Sequence, residues 1–272
     1  MEVNIIRNKE EIYKFLIKSP EMQVYLIGDL DDFFWPKTIW YAARVNDKIK
    51  AIALLYTGMI PPTLLSFCKN DNHYASELLN TIKPLLPDKF QAHLSTGLLD
   101  IFGEENVMDY YGRNCKMALK KYPEEIYDKN IRQMTSSDLP EIMKLYSIAY
   151  PNNWFDKRML ETGKYLGYFS NEQLIGVAGI HVYSEEYKAA ALGNIVTHPD
   201  YRGKQIAYKL TSALCNNLRK KVDFIGLNVK SDNTAAIKCY KKIGFETIGY
   251  YDECLIKNYN HAGISVPGKE DR

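Results

Sequence analysis

The 272-residue sequence predicts an α/β (α+β) fold made of two successive halves with the same order of elements. Three observations carry that expectation. A strand end, a basic turn and an amphipathic helix follow one another from Ile195 to Leu218, and a strand, helix and strand follow from Phe224 to Tyr250. The amino-terminal half repeats this strand and helix order. Between the halves, the polar stretch Tyr122 to Asn130 is broken by proline, as linkers are.

In the amino-terminal half, Trp40 to Val45, an Asn46-Asp47-Lys48 turn and Ile49 to Tyr56 read as a hairpin. Thr63 to Phe67 follows as a strand, Ala75 to Leu86 as a helix, Phe90 to Leu94 as a strand and Lys116 to Leu119 as a last strand. The second half opens with a short strand at Ile131 to Met134. A helix comes next, with Ser137 as its cap, Pro140 in its first turn and Leu139, Ile142, Met143 and Tyr146 on one face. Asn152 to Gly163 reads as another helix. Tyr165 to Phe169, a turn at Ser170 to Gln173 and Leu174 to Val182 then repeat the hairpin of the first half. The tail beyond Lys257 reads as frayed. These signals divide the chain into 1–126 and 127–272.

The most informative stretch is Ile195 to Ala207. A strand end meets a His198-Pro199 stop, and the turn Arg202-Gly203-Lys204-Gln205 opens directly into the apolar face Ile206, Leu210, Ala213, Leu214 and Leu218. Backbone N–H groups at such a helix start have no partner within the helix and sit at the positive end of its dipole. They suit a phosphate or pyrophosphate, with Arg202 and Lys204 adding charge. Further on, Phe224 to Val229 reads as a buried strand and Ser231-Asp232-Asn233 as helix-capping residues. Ala236, Cys239, Tyr240 and Ile243 share a face before Gly244 ends the helix, and Phe245 to Tyr250 returns as a strand.

The turn resembles the acyl-CoA-binding motif of the GNAT N-acetyltransferase superfamily: Gln or Arg, two variable residues, Gly, one variable residue, then Gly or Ala. Asn233, Ala236, Tyr240 and Lys242-Ile243-Gly244-Phe245 match the second signature of that family in order and spacing. The two-half plan resembles its glycine-N-acyltransferase-like branch. The resemblance implies tandem lobes, each a mixed, mostly antiparallel sheet flanked by helices. Residues 1–126 would form a divergent lobe, and residues 127–272 would hold the acyl-CoA site. The amino-terminal lobe is expected not to bind CoA, because Cys68 to His73 offers one Lys and no Gly.

The chemistry implied is N-acyl transfer, most simply from acetyl-CoA as co-substrate, to a primary amine of a small molecule or a protein that attacks the thioester directly. By resemblance, backbone groups of Ile195, Val196 and Thr197 line the pantetheine arm. Arg202, Gly203, Lys204, Gln205, Ile206 and Ala207 hold the pyrophosphate, Asn233 hydrogen-bonds the cofactor and Tyr240 protonates the departing thiolate. Two departures stand out. Gln205 occupies a family Gly position, and its N–H is expected to serve if its φ is helical. Asn228 stands where some relatives carry Glu, so the base is unassigned, with His181, Glu185 and Glu186 as candidates. A non-catalytic acyl-CoA-binding regulatory module is the alternative function. A Rossmann domain is disfavoured, since no G-x-G-x-x-G pattern is present.

Charge is nearly balanced, with 35 Lys and Arg against 33 Asp and Glu, so neither nucleic acid nor a membrane surface is an expected partner. The five cysteines show no zinc spacing and read as reduced thiols, and no metal is expected. No apolar run approaches a membrane span and no leader pattern is present, which makes the cytoplasm the default location. The acidic and aromatic run Asp29 to Phe34 has two readings: a site for a cation or an amine, or helix-end and turn residues. The second is favoured because one local carboxylate cluster lacks a defined ligand set.

Overall fold

The computed structural model describes residues 1–69, 72–151 and 153–258. Asn70, Asp71, Asn152 and the tail expected to fray, from Tyr259 on, lie outside the described residues. In chain order the strands and α-helices are β1 (Glu2–Ile6), α1 (Lys9–Leu16), α2 (Val24–Gly28), β2 (Thr38–Val45), β3 (Lys48–Tyr56), β4 (Thr63–Ser66), α3 (His73–Ile82), β5 (Lys89–Ser95), β6 (Val107–Leu119), β7 (Ile131–Gln133), α4 (Leu139–Ala149), β8 (Leu166–Ser170), β9 (Gln173–Ser184), β10 (Ala189–Thr197), α5 (Ile206–Leu218), β11 (Phe224–Lys230), α6 (Thr234–Ile243) and β12 (Phe245–Lys257). By packing they form two units. Among the described residues, the first contains Met1–Ile6, Ile39–Gly112 and residues 252–258, and the second contains Arg7–Thr38 and Arg113–Tyr251.

In the first unit the sheet order is β1, β2, β3, β4, β5 and the last part of β12. The turn from β2 to β3 holds Asn46 and Asp47 at φ 49° and 61°, the twist a two-residue hairpin needs. β3 and β4 are antiparallel, whereas β4 and β5 are parallel. α3 supplies the crossover a parallel pair requires, and it buries Leu78, Leu79 and Ile82 with Leu64, Phe90 and Leu94.

The second unit repeats that plan. Its order is the first part of β12, the last part of β6, then β11, β10, β9, β8 and β7. Asn171 and Glu172 turn the β8–β9 hairpin at φ 47° and 64°. β9 and β10 are antiparallel, β10 and β11 parallel, and α5 is the crossover. α5 lies on β9 where Gly176 makes room: a Cβ there would stand 2.7 Å from Ile206 Cγ2. Of the apolar face expected for α5, Ile206, Leu210, Leu214 and Leu218 are buried in this core and Ala213 is half-buried against it. Among the described residues no helix is long and apolar enough to cross a membrane.

Several elements differ from the sequence reading. Lys116 to Leu119 is the end of a longer strand that pairs with β11, Ala118 against Gly226 and Asn114 against Lys230. It therefore belongs to the second unit and does not close the first. Arg7–Thr38 also packs in the second unit, because the wholly apolar α2 buries itself against β9, β10 and β11. The cap before α4 is Thr135, not Ser137: Thr135 and Asp138 exchange side-chain and backbone hydrogen bonds around a short 3-10 turn. Where a helix was expected near Gly163 there is only a 3-10 helix, Lys157–Thr162, whose start the Asp156 side chain caps. The polar stretch Tyr122 to Asn130 is strapped along α5, with Asp128 2.8 Å from Lys209 and Glu125 2.9 Å from Arg219.

Lys116 is buried at 1% exposure, its ammonium 5.1 Å from the Tyr25 ring centroid and 5.6 Å from that of Tyr251. Burial pushes this ammonium down to about 7, below the unfolded value of about 10.4. Between those two values the unfolded chain binds one more proton than the folded chain, so stability rises with pH there and falls as the pH approaches 7 from above. Denaturation of the wild type from pH 7 to 9 is expected to show this rise, with a slope of up to about 1.4 kcal/mol per pH unit. Lys116→Met should flatten it.

Candidate active site

β10 stops at His198, whose Nδ1 accepts from the Asp200 N–H at 3.3 Å to cap the 3-10 turn Pro199–Tyr201. The Lys204 ammonium lies 4.7 Å from the Tyr201 ring centroid, so Tyr201 packs in the turn. The chain then passes through Gly203 at φ 80° and Gln205 at φ 61° before α5 begins. The Arg202 N–H is taken by the Pro199 carbonyl at 3.2 Å, but among the described residues the N–H groups of Gly203, Lys204, Gln205, Ile206 and Ala207 meet no backbone acceptor. Arg202, Lys204 and Gln205 are exposed, and a Cβ on Gly203 would meet nothing within 4 Å. This is an open row of unshared donors at the positive end of a 13-residue helix, which suits an anionic group.

Gln205 does not have a helical φ. It sits in the left-handed region, a conformation that costs a side-chain-bearing residue about 1–2 kcal/mol and that Gly adopts freely. Its carbonyl still accepts from the Lys209 N–H at 3.0 Å, so the helix starts normally.

The second feature is a break in the sheet. β10 and β11 pair only from Ala189↔Phe224 to Leu192↔Leu227. Past that point β10 stays with β9 (Val196↔Val177, Thr197↔Gly176) and β11 stays with β6 (Asn228↔Lys116). Two bulges bracket the break. His181 is an extra residue between Ile180 and Val182, which oppose Leu192 and Ala191, and Asn194 and Ile195 share the place opposite Ala178. Asn194 takes φ 54° to do so.

Bulges release backbone groups from the ladder, and buried ones need other partners. Tyrosine hydroxyls supply them: Tyr165 donates to the Ile180 carbonyl at 2.8 Å, Tyr146 to Asn194 at 3.0 Å and Tyr25 to Leu192 at 3.4 Å. Burial holds all three well above the usual phenol range, so they stay protonated donors at neutral pH. Tyr240 approaches from α6, its ring 9% exposed and edge-on to Phe245 at 6.0 Å. Its pKa is likewise raised by burial, and among the described residues its hydroxyl has no hydrogen-bond partner. Tyr150 couples electrostatically to both Tyr25 and Tyr240. Asn228 Oδ1, Thr197 Oγ1 and Asn194 Oδ1 are buried without a hydrogen-bond partner, as polar atoms are where a ligand or water completes them.

Residues 125–245 match the acetyltransferase (GNAT) family. The ribosomal protein bS18 alanine N-acetyltransferase of Escherichia coli K12 is 28% identical over 146 residues, which cover 52% of this chain and 91% of that protein. An uncharacterised protein of Mycobacterium leprae is 30% identical over 135 residues, 44% of this chain, and the match spans only 35% of that relative's length. The solved structure of a tandem GNAT protein from the clavulanic acid biosynthesis pathway has the same fold, with a TM-score of 0.57 at 12% identity over 99% of both chains. Over residues 125–245 the chain has a GNAT acetyltransferase domain.

In the GNAT domain, Arg202 to Ala207 form the donor turn, and Ile195, Val196 and Thr197 form the β10 edge that β11 leaves unpaired. Asn233 is placed differently: it is the exposed N-cap of α6, its Oδ1 accepting from the Ala236 N–H at 3.1 Å, so its oxygen is committed to the helix. Of the base candidates, Glu185 is fully exposed, 2.8 Å from Lys221 and 3.1 Å from the Tyr183 hydroxyl. His181 is at the break, its ring centroid 6.3 Å from that of Tyr25 and its ring packed over Gly193, where a Cβ would stand 1.8 Å from Cδ2. Tyr25, Tyr146 and Tyr165 escape a motif reading because no fixed spacing links them. The one signal for Tyr25 is the all-apolar run Val24 to Gly28, which marks a helix buried on every side.

The left-handed Gln205 generates a test. Gln205→Gly is expected to raise unfolding stability by up to about 1 kcal/mol, part of the relieved strain being offset by the greater freedom of Gly in the unfolded chain. Chemical denaturation checks this, and a loss of stability would assign the Gln205 contact with Lys242, at 3.5 Å, a larger role.

Proposed function

We propose that this chain transfers an acetyl group from acetyl-CoA to a primary amine, with residues 127–272 as its acyl-CoA-binding domain, residues 1–126 as a divergent lobe and the cytoplasm as its location. The observation that carries this reading is the end of β10–β11 pairing at Leu192↔Leu227 beside the unshared donors of Gly203 to Ala207. A ligand with amide groups along its length and a pyrophosphate at one end matches both features, since strand edges take amides and helix starts take phosphates. The residues present fit such a co-substrate: the space over Gly203 is open, and Thr197 Oγ1 and Asn228 Oδ1 are buried without partners.

The thioester supplies an activated acyl carbon. The chain's part is to hold the amine against it, accept a proton from nitrogen and return one to sulfur. Tyr240 is the acid we assign to sulfur: its ring packs edge-on to Phe245, its hydroxyl is protonated at neutral pH, and none of the described residues hydrogen-bonds that hydroxyl. Arg202, exposed beside the donor row, adds charge toward the pyrophosphate. The Escherichia coli relative is named for alanine of a ribosomal protein, which supports an amine at a protein or peptide terminus as the acceptor class.

Calorimetry with coenzyme A and with pantetheine tests the cradle, and tight binding of the first alone is expected. Arg202→Glu should weaken coenzyme A binding by about tenfold, the effect of replacing attraction by repulsion at an exposed site, while the melting temperature stays unchanged. An unchanged affinity would locate the phosphates elsewhere. Tyr240→Phe is expected to keep coenzyme A affinity and melting temperature, because the lost hydroxyl has no protein partner, and to lower kcat by about 10²-fold. Wild-type kcat in that variant would remove Tyr240 from proton transfer. Tight acetyl-CoA binding with no turnover across a panel of amines would favour a regulatory module.

A further inference from the structure

Asp29 ends α2 and is 5% exposed. Among the described residues no donor or cation reaches its carboxylate. Its neighbours in sequence behave otherwise: Asp32 is exposed and paired with Lys9, and Asp31 caps the Phe33 N–H at 3.1 Å as a turn residue. A carboxylate buried without counter-charge is costly as an ion, and such groups are normally paired. Asp29 is the C-cap residue of α2, its backbone N–H bonded to helix carbonyls, and the helix dipole there is negative and disfavours its carboxylate.

Its position accounts for the exception. Asp29 is four residues after Tyr25 and has αR backbone angles, so it shares the Tyr25 face of the helix. Tyr25 in turn touches the Leu192 carbonyl, where the ladder breaks. α2 is held against this part of the sheet by close contacts: Gly28 meets Val182, next to the bulged His181, and Val24 meets Gly226. The carboxyl thus stands one helical turn from a hydroxyl that marks the end of the β10–β11 ladder, with the His181 ring beside that hydroxyl's own ring.

We propose that Asp29 receives the ammonium group of the acceptor and takes its proton. This rests on the acetyl-transfer reading. The ligand brings a positive charge that none of the described residues gives to Asp29, which selects a primary ammonium over a neutral or anionic acceptor. The ammonium gives one proton to the Asp29 carboxylate. The freed lone pair forms the new C–N bond at the thioester carbon, the C–S bond breaks and the sulfur takes the Tyr240 proton. The nitrogen loses its second proton to water, from which the Tyr240 oxygen is reprotonated, and Asp29 returns its proton to solvent. One proton is released per amide formed.

The test uses the full chain with 13C-labelled aspartate carboxyls, the Asp29 signal being assigned by its absence in Asp29→Asn. The titratable groups facing this region are Tyr25, His181, Lys116, Tyr150 and Tyr240. Alaninamide, an ammonium probe, is expected to lower the Asp29 titration midpoint by about one pH unit or more, as an opposite charge nearby does, and N-acetylalaninamide to leave it in place. A midpoint unmoved by alaninamide, or moved equally by both probes, overturns the proposal. Asp29→Asn should keep coenzyme A affinity and lower kcat/KM for the amine by about 10²-fold. It should also keep or raise the melting temperature, because it removes an unpaired buried carboxyl, and unchanged kcat/KM likewise overturns the assignment. Coenzyme A binding with a silent Asp29 sinks this inference and leaves acetyl transfer standing. A responsive Asp29 without coenzyme A binding overturns acetyl transfer and, with it, the proton step assigned to Asp29.

Discussion

The interrupted ladder between β10 and β11 is the constraint on which the rest of the second unit depends. A sheet that stops pairing in its middle leaves buried carbonyls that must find donors or cost about 1–3 kcal/mol each. The chain meets this with phenol hydroxyls from three separate segments, Tyr25, Tyr146 and Tyr165, each reaching a carbonyl of Leu192, Asn194 or Ile180. Phenols suit the task because the ring fills apolar space while its tip donates. Burial keeps them protonated, so they cannot become charged intruders at neutral pH. Past Leu192 the two strands no longer pair with each other, and the Tyr25 hydroxyl reaches the backbone of both, Leu192 on β10 and Asn228 on β11.

The turn into α5 obeys a related logic. Most helices satisfy their first N–H groups with a side-chain cap, and Asn233 does so for α6. At α5 the cap position is Gln205, which makes no side-chain cap bond and takes a left-handed φ. The result is a row of donors kept unshared, at the cost of local strain. Strain of this kind persists where the surroundings fix it, and it gathers at functional sites.

Much of this was legible in the sequence, for identifiable reasons. The hairpins announce themselves through Asn46-Asp47 and Asn171-Glu172, whose positive φ values suit Asn and Asp, and α5 through the spacing of Ile206, Leu210, Leu214 and Leu218. The donor turn is local, so its residues lie together in the chain. The remainder depended on contacts between distant segments. Nothing near Tyr25 says that its hydroxyl will meet Leu192, 167 residues away. Asp29 reads as a helix-end residue until its burial is known. Asn233 matches a signature, yet its oxygen is used by its own helix, a competition that motif spacing cannot resolve. Asp156 likewise spends its side chain on a local cap, at the start of a 3-10 helix where a longer helix was expected.

The same contacts bear on how the two halves cooperate. The second unit includes Arg7–Thr38 and the end of β6, so residues 127–272 by themselves lack α2 and the strand that pairs with β11. Without β6, Asn228, Val229 and Lys230 would lose their remaining neighbour past the break, since β10 has already left them. Without α2, the Leu192 carbonyl would lose Tyr25, and Gly226 would lose the Val24 side chain packed on it. An acyl-transfer lobe of this chain is thus completed by sequence that precedes the linker. The segment that completes it also brings Asp29, so the chemistry proposed for that carboxyl would come to the second unit from the amino-terminal half.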